Sequence, residues 1–280
     1  MTYACFSVDL TDHVAHIRLN RPHKANSLIP EFWSEFPQAV GRISDDGEAR
    51  VIVISAEGKT FCAGMDLSVF MGGGFDPDTD NHQVAAESFL HKVAMLQDTF
   101  SALERARQPV LAAIQGGAVG AGVDLATACC CRYASADAFF SVYETALGMT
   151  ADVGTFPRLA KIIPEGWARQ MAYTAERVGA ERAKAIGLVN EVYPDAQSLL
   201  EGVMDIARRI AAHSPLAVSG TKAAIAHARD HGTADSLAYV GLWNAAMLRP
   251  EDIREANMAR LEGRAPRFSG LKPVRRAVSG

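Results

Sequence analysis

Residues 5–10 and 14–19 alternate apolar and polar side chains on either side of Thr11-Asp12-His13, the period-two pattern of a β-hairpin. The irregular stretch NRPHKANSL, residues 20–28, follows it. From Pro30 the period changes: Phe32, Phe36, Ala39, Val40 and Ile43 share one helical face, with Pro30 suited to a first turn and Pro37 awkward inside it. A helix with a kink or a late start is expected there. The β-branched run VIVIS, residues 51–55, is of the type buried in a parallel sheet.

A Gly-rich stretch precedes a long amphipathic helix expected from about Asn81 to Ala106, which Pro109 ends ahead of a buried strand at 110–114. Strand and helix alternate again through Leu125, Phe139-Phe140 and residues 188–192. That recurrence favours one α/β architecture with crossovers over separate helical and sheet domains. From Leu199 onward the pattern is helical only, punctuated by Pro215, Gly232 and Pro250. The expected organisation is a core over residues 1–198 and a C-terminal helical region over 199–280.

Composition narrows the function by exclusion. The formal net charge is −4 with both signs dispersed, so the footprint of a nucleic-acid binder is missing and a small-molecule partner is favoured. The basic end RAPRFSGLKPVRR reads as a solvated tail or a subunit contact. Five cysteines without a CxxC pair point to neither a disulfide framework nor a zinc site, and suit a reducing compartment. No apolar run reaches the ~20 residues of a membrane helix. The first residues lack a leader pattern and the last lack a targeting tripeptide, so a cytoplasmic protein without membrane contact is expected.

Two segments join a buried strand to a glycine-bearing turn, VIVISAEGKTFCAGMDL (51–67) and VLAAIQGGAVGAGVDLATA (110–128). Small residues there let the backbone approach a ligand and leave amide N–H groups unpaired at a helix start. The same glycines could equally serve only the tight turns. A dinucleotide fingerprint fails because Leu125 stands where GxGxxG needs its third glycine, and a phosphate-binding loop fails because Val53 replaces its first.

Three acids complete the picture. Asp124 sits at a short helix start, and Glu144 and Asp152 lie in VYETALGMTADVG among small and apolar neighbours. A carboxylate in such a setting loses solvation and exchanges protons nearer neutrality. The competing reading makes each acid a helix cap, Asp152 for a helix near Val153, or a partner of Arg132, Arg158 or Lys161. Together, acids and amide-rich turns suit removal and return of a proton beside a carbonyl, whose oxygen gains charge as an enolate forms.

The segments FCAGMDL, GAVGAGVDLATAC and VYETALGMTADVGTFPRL resemble the crotonase, or enoyl-CoA hydratase/isomerase, superfamily, and the similarity runs over most of the chain. The resemblance implies an α/β fold, a spiral of ββα units with a C-terminal helical part, an acyl-CoA thioester as substrate, and homotrimers or homohexamers. By motif position the N–H groups of Met65 and Ala121 would form the oxyanion hole, with Ala121 standing where relatives usually have glycine. Lys24, Ala25, Ala63, Asp66 and Leu67 match positions that line coenzyme A, which is part of the substrate; no separate cofactor or metal is implied. Asp124 and Glu144, 20 residues apart, match the glutamate pair of hydratases, with the shorter acid first. The combination with Asp152 resembles the isomerases of 3,5-dienoyl-CoA, with Glu144 acting at the α-carbon, Asp152 at the ε-carbon, and Asp124 orienting them. A 2-enoyl-CoA hydratase and a non-catalytic acyl-CoA-binding protein are the alternatives. The segment MGGGFDPDTD is expected to shape the acyl pocket; Phe70, Leu96, Phe100 and Met149 are candidates for its lining, with ordinary core packing the favoured reading of each.

Overall fold

The computed structural model describes residues 2–71 and 79–274, with the side chains of Phe70 and Met71 outside that set. The chain opens with β1 (Phe6–Thr11) and β2 (Val14–Leu19), paired antiparallel, and Asp12 and His13 both take positive φ in the two-residue turn between them. Then come α1 (Pro30–Asp46), β3 (Val51–Ala56), α2 (Leu67–Met71), α3 (His82–Arg105), β4 (Val110–Ile114), β5 (Gly117–Val119) and α4 (Ala121–Ala128). The second half holds β6 (Cys131–Ser135), β7 (Phe139–Ser141), α5 (Thr155–Ile162), α6 (Glu165–Thr174), β8 (Val178–Gly179), α7 (Ala180–Ala185) and β9 (Glu191–Tyr193). It closes with α8 (Ala196–Ala211), α9 (Pro215–Asp230), α10 (Thr233–Met247) and α11 (Pro250–Glu262).

One sheet has the order β1-β2-β3-β4-β6-β9, parallel from β2 onward; a smaller sheet has the order β5-β7-β8. After β3, Cys62 bridges Ala118 of β5, and after β2, Leu28 bridges Met65. Each turn of the chain therefore gives a strand to the large sheet, a short pairing to a second layer, and a helix, which is the ββα spiral. The run VIVIS needs apolar residues on both sides because both sheet faces are covered. Val51 and Val53 pack with Leu199, Val203 and Ala207 of α8, whereas Ile52 and Ile54 join the larger core with Phe32, Phe36 and Phe100.

Two boundaries differ from the sequence reading. The expected strand at 188–192 starts later, at Glu191, because Leu188 N–H donates to Ala183 O at 2.8 Å and closes the end of α7. Helix α1 begins at Pro30 and runs through Pro37. Proline lacks the N–H that would bond the carbonyl four residues back, that of Trp33. The buried Thr99 hydroxyl of α3 lies 3.2 Å from that carbonyl and 3.3 Å from Met95 O of its own helix, and shares its one proton between the two. Thr99→Val removes the donor at nearly constant volume, and we expect a stability loss of about 1–2 kcal/mol, read as a lower urea midpoint with unchanged slope.

Asn81 caps α3, its side chain accepting from the Gln83 and Val84 N–H groups, and Lys222 of α9 holds the other end. The Lys222 ammonium donates to the carbonyls of Leu103, Ala106 and Gln108 at 2.6–2.8 Å, tying the helical end of the chain to the core. No helix among the described residues is long and apolar enough to cross a membrane.

Candidate active site

A cavity of about 1050 Å³ opens where the turns after β3 and β5 meet the loop after β7. At the first turn, Gly64 takes φ +92°, its carbonyl accepts from Leu28 N–H, and Asp66 N–H donates to Leu28 O. The Met65 N–H between them has no acceptor among the described residues. At the second turn, Gly120 has φ 53° and ψ −120°, a combination that glycine reaches without strain, and Ala121 starts α4. Its N–H belongs to the first helical turn and is likewise unpaired among the described residues. Because the positive φ falls on Gly120, alanine at 121 presents its amide as glycine would. A Cβ on Gly64 would lie 2.9 Å from Val119 O and 3.4 Å from Ala121 N, so the two turns are in contact, and Met65 and Ala121 both line one cavity.

All three acids line that cavity. Asp124 is only 1% exposed, and its Oδ1 accepts from the Thr155 hydroxyl at 2.8 Å. Burial pushes its carboxyl up to about 7, with the charge of Glu144 adding to the rise against the Thr155 hydrogen bond. Glu144 is half-buried at the start of the 3-10 turn Glu144–Leu147, and its Oε1 lies 3.1 Å from where a Cβ on Gly120 would stand. Its Oε2 is buried without a partner. Burial raises its carboxyl, and the charge of Asp152 raises it further. The Asp152 carboxylate bonds no other residue among those described; the residue is exposed at the cavity wall, and partial desolvation there raises its carboxyl.

The bases that could have neutralised these acids are engaged elsewhere. Arg132 donates to the Leu188 and Cys129 carbonyls, Arg158 to Glu104, and Lys161 to Asp230. Nor does Asp152 cap a helix, since α5 starts at Thr155 behind Gly154 with no side-chain cap. The structure thus removes both competing uses of the acids.

At the mouth, Lys24, Ala63, Asp66 and Leu67 line the cavity. Ala25 does not: it is the left-handed residue ending the 3-10 turn Pro22–Lys24, and its carbonyl accepts from Ala63 N–H at 3.0 Å. Asp66 is held anionic, its carboxyl driven far below the usual range by hydrogen bonds from Ser27 and Ser68, with Arg21 nearby. Leu96 and Met149 line the cavity, where core packing was the favoured reading of each. Phe100 does not, being fully buried against Trp33 and Phe32, while Phe89 takes a lining place. The Phe70 side chain and most of MGGGFDPDTD lie outside the described residues.

Residues 9–271 match the enoyl-CoA hydratase/isomerase family. The chain belongs to that family. It is 40% identical to the human mitochondrial Delta(3,5)-Delta(2,4)-dienoyl-CoA isomerase over 90% of this chain and 77% of the relative. It is also 40% identical to the peroxisomal isomerase of the same name from Arabidopsis thaliana, over 92% of this chain and 93% of the relative. The solved structure of an enoyl-CoA hydratase from Bacillus anthracis superposes with a TM-score of 0.86 at 33% identity, covering 95% of this chain and all of the other. The α/β spiral expected of the family is the fold observed, and the chain is an enzyme of this family acting on a CoA thioester.

Among the residues that hold the cavity lining in place, sequence reasoning missed Thr155, the donor to Asp124, although the motif ADVGT contains it. It also missed Asn26, whose buried amide spans the carbonyls of Glu57 and Thr60 and accepts from Arg21 N–H, fixing the turn that carries Lys24. The polar residue inside NRPHKANSL, in a positive-φ position that asparagine tolerates, was the available signal. Among the described residues no cluster of His, Cys, Asp or Glu side chains could jointly hold a metal ion.

Proposed function

We propose that this enzyme converts 3,5-dienoyl-CoA thioesters to their 2,4-dienoyl isomers. The observation that carries the reading is Asp152: a carboxyl on the wall of the cavity shared with Glu144, bonded to no other residue among those described. The thioester oxygen sits between the Met65 and Ala121 N–H groups. Glu144 takes a proton from the α-carbon, and the released electron pair forms the bond between the second and third carbons. The remaining double bonds shift along the chain, and Asp152 delivers a proton to the ε-carbon, the sixth. Charge collects on the thioester oxygen meanwhile, where preorganised amides stabilise it most. One carboxylate cannot reach both carbons, so the reaction needs two. A raised carboxyl suits the donor, because it must hold its proton near neutrality. Asp124 keeps Glu144 and the shared protons in order, since neighbouring carboxylates resist joint ionisation.

Coenzyme A lies along Lys24, Ala63, Asp66 and Leu67 in this reading, with Ala25 shaping the turn through its carbonyl. The cellular setting we propose is the cytoplasm, consistent with five free cysteines. We also propose a homotrimer or homohexamer: α10 buries none of its residues within the chain, and Leu237, Leu242 and, on α11, Leu261 are 65%, 73% and 82% exposed.

The likeness to a hydratase structure and the Asp124–Glu144 pair favour hydration of 2-enoyl-CoA as the second reading. Against it, the Thr155 bond already occupies one oxygen of Asp124, the shorter acid. Assays with 3,5-dienoyl-CoA and 2-enoyl-CoA across chain lengths separate the two. We expect dienoyl isomerisation to exceed hydration at every length, and faster hydration would overturn the proposal.

A further inference from the structure

Asp152 stands in a loop that no regular element contains, yet the proposed reaction needs its carboxyl held at one place. Resting on the isomerase reading, we infer that Gln97 of α3 is a positioning residue for Asp152. The Gln97 side-chain amide donates to the Asp152 main-chain carbonyl at 2.7 Å, across 55 residues of chain. It grips the backbone and leaves the carboxylate free, as a supporting group for a proton donor must.

The same loop is fixed from two further sides. A Cβ on Gly154 would lie 1.9 Å from a guanidinium nitrogen of Arg158, so Arg158 packs directly on the Gly154 backbone. Arg158 is held in turn by Glu104 and Ser101, both from the C-terminal half of α3. Thr155 closes the third side through Asp124. Helix α3 therefore holds the Asp152 loop at two points, and Gln97 is the one that bears on Asp152 itself. Its neighbour Leu96 and, two turns earlier, Phe89 line the acyl cavity, so one rigid helix sets both the cavity wall and the second acid.

The test is Gln97→Leu, which removes the donor at similar size, beside Gln97→Lys, which returns one. With 3,5-dienoyl-CoA in deuterated water, turnover and deuterium entry at the α-carbon of unreacted substrate are followed together. We expect Gln97→Leu to lower kcat at least tenfold, in keeping with the ~10²-fold that a 1 Å misplacement can cause. KM should stay unchanged, and the ratio of α-exchange to turnover should rise, because Glu144 still works while delivery at the ε-carbon fails. Gln97→Lys should recover most of the rate. An unimpaired Gln97→Leu enzyme overturns the inference alone, as does a loss in which exchange and turnover fall together. A wild-type chain inert toward 3,5-dienoyl-CoA overturns the isomerase reading and the inference with it.

Discussion

Asp152→Asn is expected to lower kcat for 3,5-dienoyl-CoA by roughly 10³-fold, within the 10²–10⁴-fold that a positioned acid or base contributes. Asparagine keeps the size of the side chain but has no carboxylic proton to give to the ε-carbon. The fold should not suffer, because the structural contact of Asp152 with Gln97 is made by its carbonyl and survives the change. Thioester binding should survive as well, since the Met65 and Ala121 amides and the mouth around Lys24 belong to other segments. KM is therefore expected to hold within about twofold, the signature of an interaction made only in the transition state. Deuterium entry at the α-carbon should continue, because Glu144 remains. Steady-state kinetics with exchange followed by mass spectrometry checks both points, and full activity in the variant would remove Asp152 from the mechanism.

The parts of this site that lay open in the sequence are those whose signal is local. Period and punctuation placed the hairpin, the long helix α3 from about Asn81, and the helices after Pro215, Gly232 and Pro250. The acids were visible because charge among small apolar residues is conspicuous, and motif resemblance singled out Met65 and Ala121, whose amides are unpaired among the described residues. What escaped is set by contacts between distant segments. Pro37 reads as a break until Thr99, 62 positions later, is seen on the orphaned Trp33 carbonyl. Leu96 and Phe100 read alike as core residues, and only the packing of distant segments puts Leu96 on the cavity wall and Phe100 against Trp33 and Phe32. Ala25 sits beside Lys24 in the motif, but a left-handed backbone turns it into support for the turn at Ala63 instead of wall. Thr155 and Gln97 carry no chemistry of their own, so nothing in their type marks them out; only their acceptors do.

At Asp124 burial and the charge of Glu144 both act against ionisation in the folded chain, and the consequence is measurable without substrate. Its carboxyl rises from the ordinary 3.8 to about 7 in the folded chain, mainly because it is desolvated. Between those two values the folded state keeps a proton that the unfolded state has released. Stability from this group is thus complete below the unfolded value, falls as pH rises, and is gone above about pH 7. A displacement of that size corresponds to roughly 4 kcal/mol at 1.36 kcal/mol per pH unit. Asp124→Asn takes the titration away while its amide oxygen still accepts from Thr155. At pH 4 the variant and the wild type are therefore expected to unfold at nearly the same urea concentration. Towards pH 8 the variant should gain on the wild type by up to about 4 kcal/mol, with the difference growing across the window and flat beyond it. A constant difference at all pH values would mean that Asp124 titrates alike in both states, and the buried carboxyl would then lose its claim to a proton near neutrality. The expected gain also says why an aspartate at this position is a functional choice: the chain gives up stability at neutral pH to keep an ionisable group against Glu144.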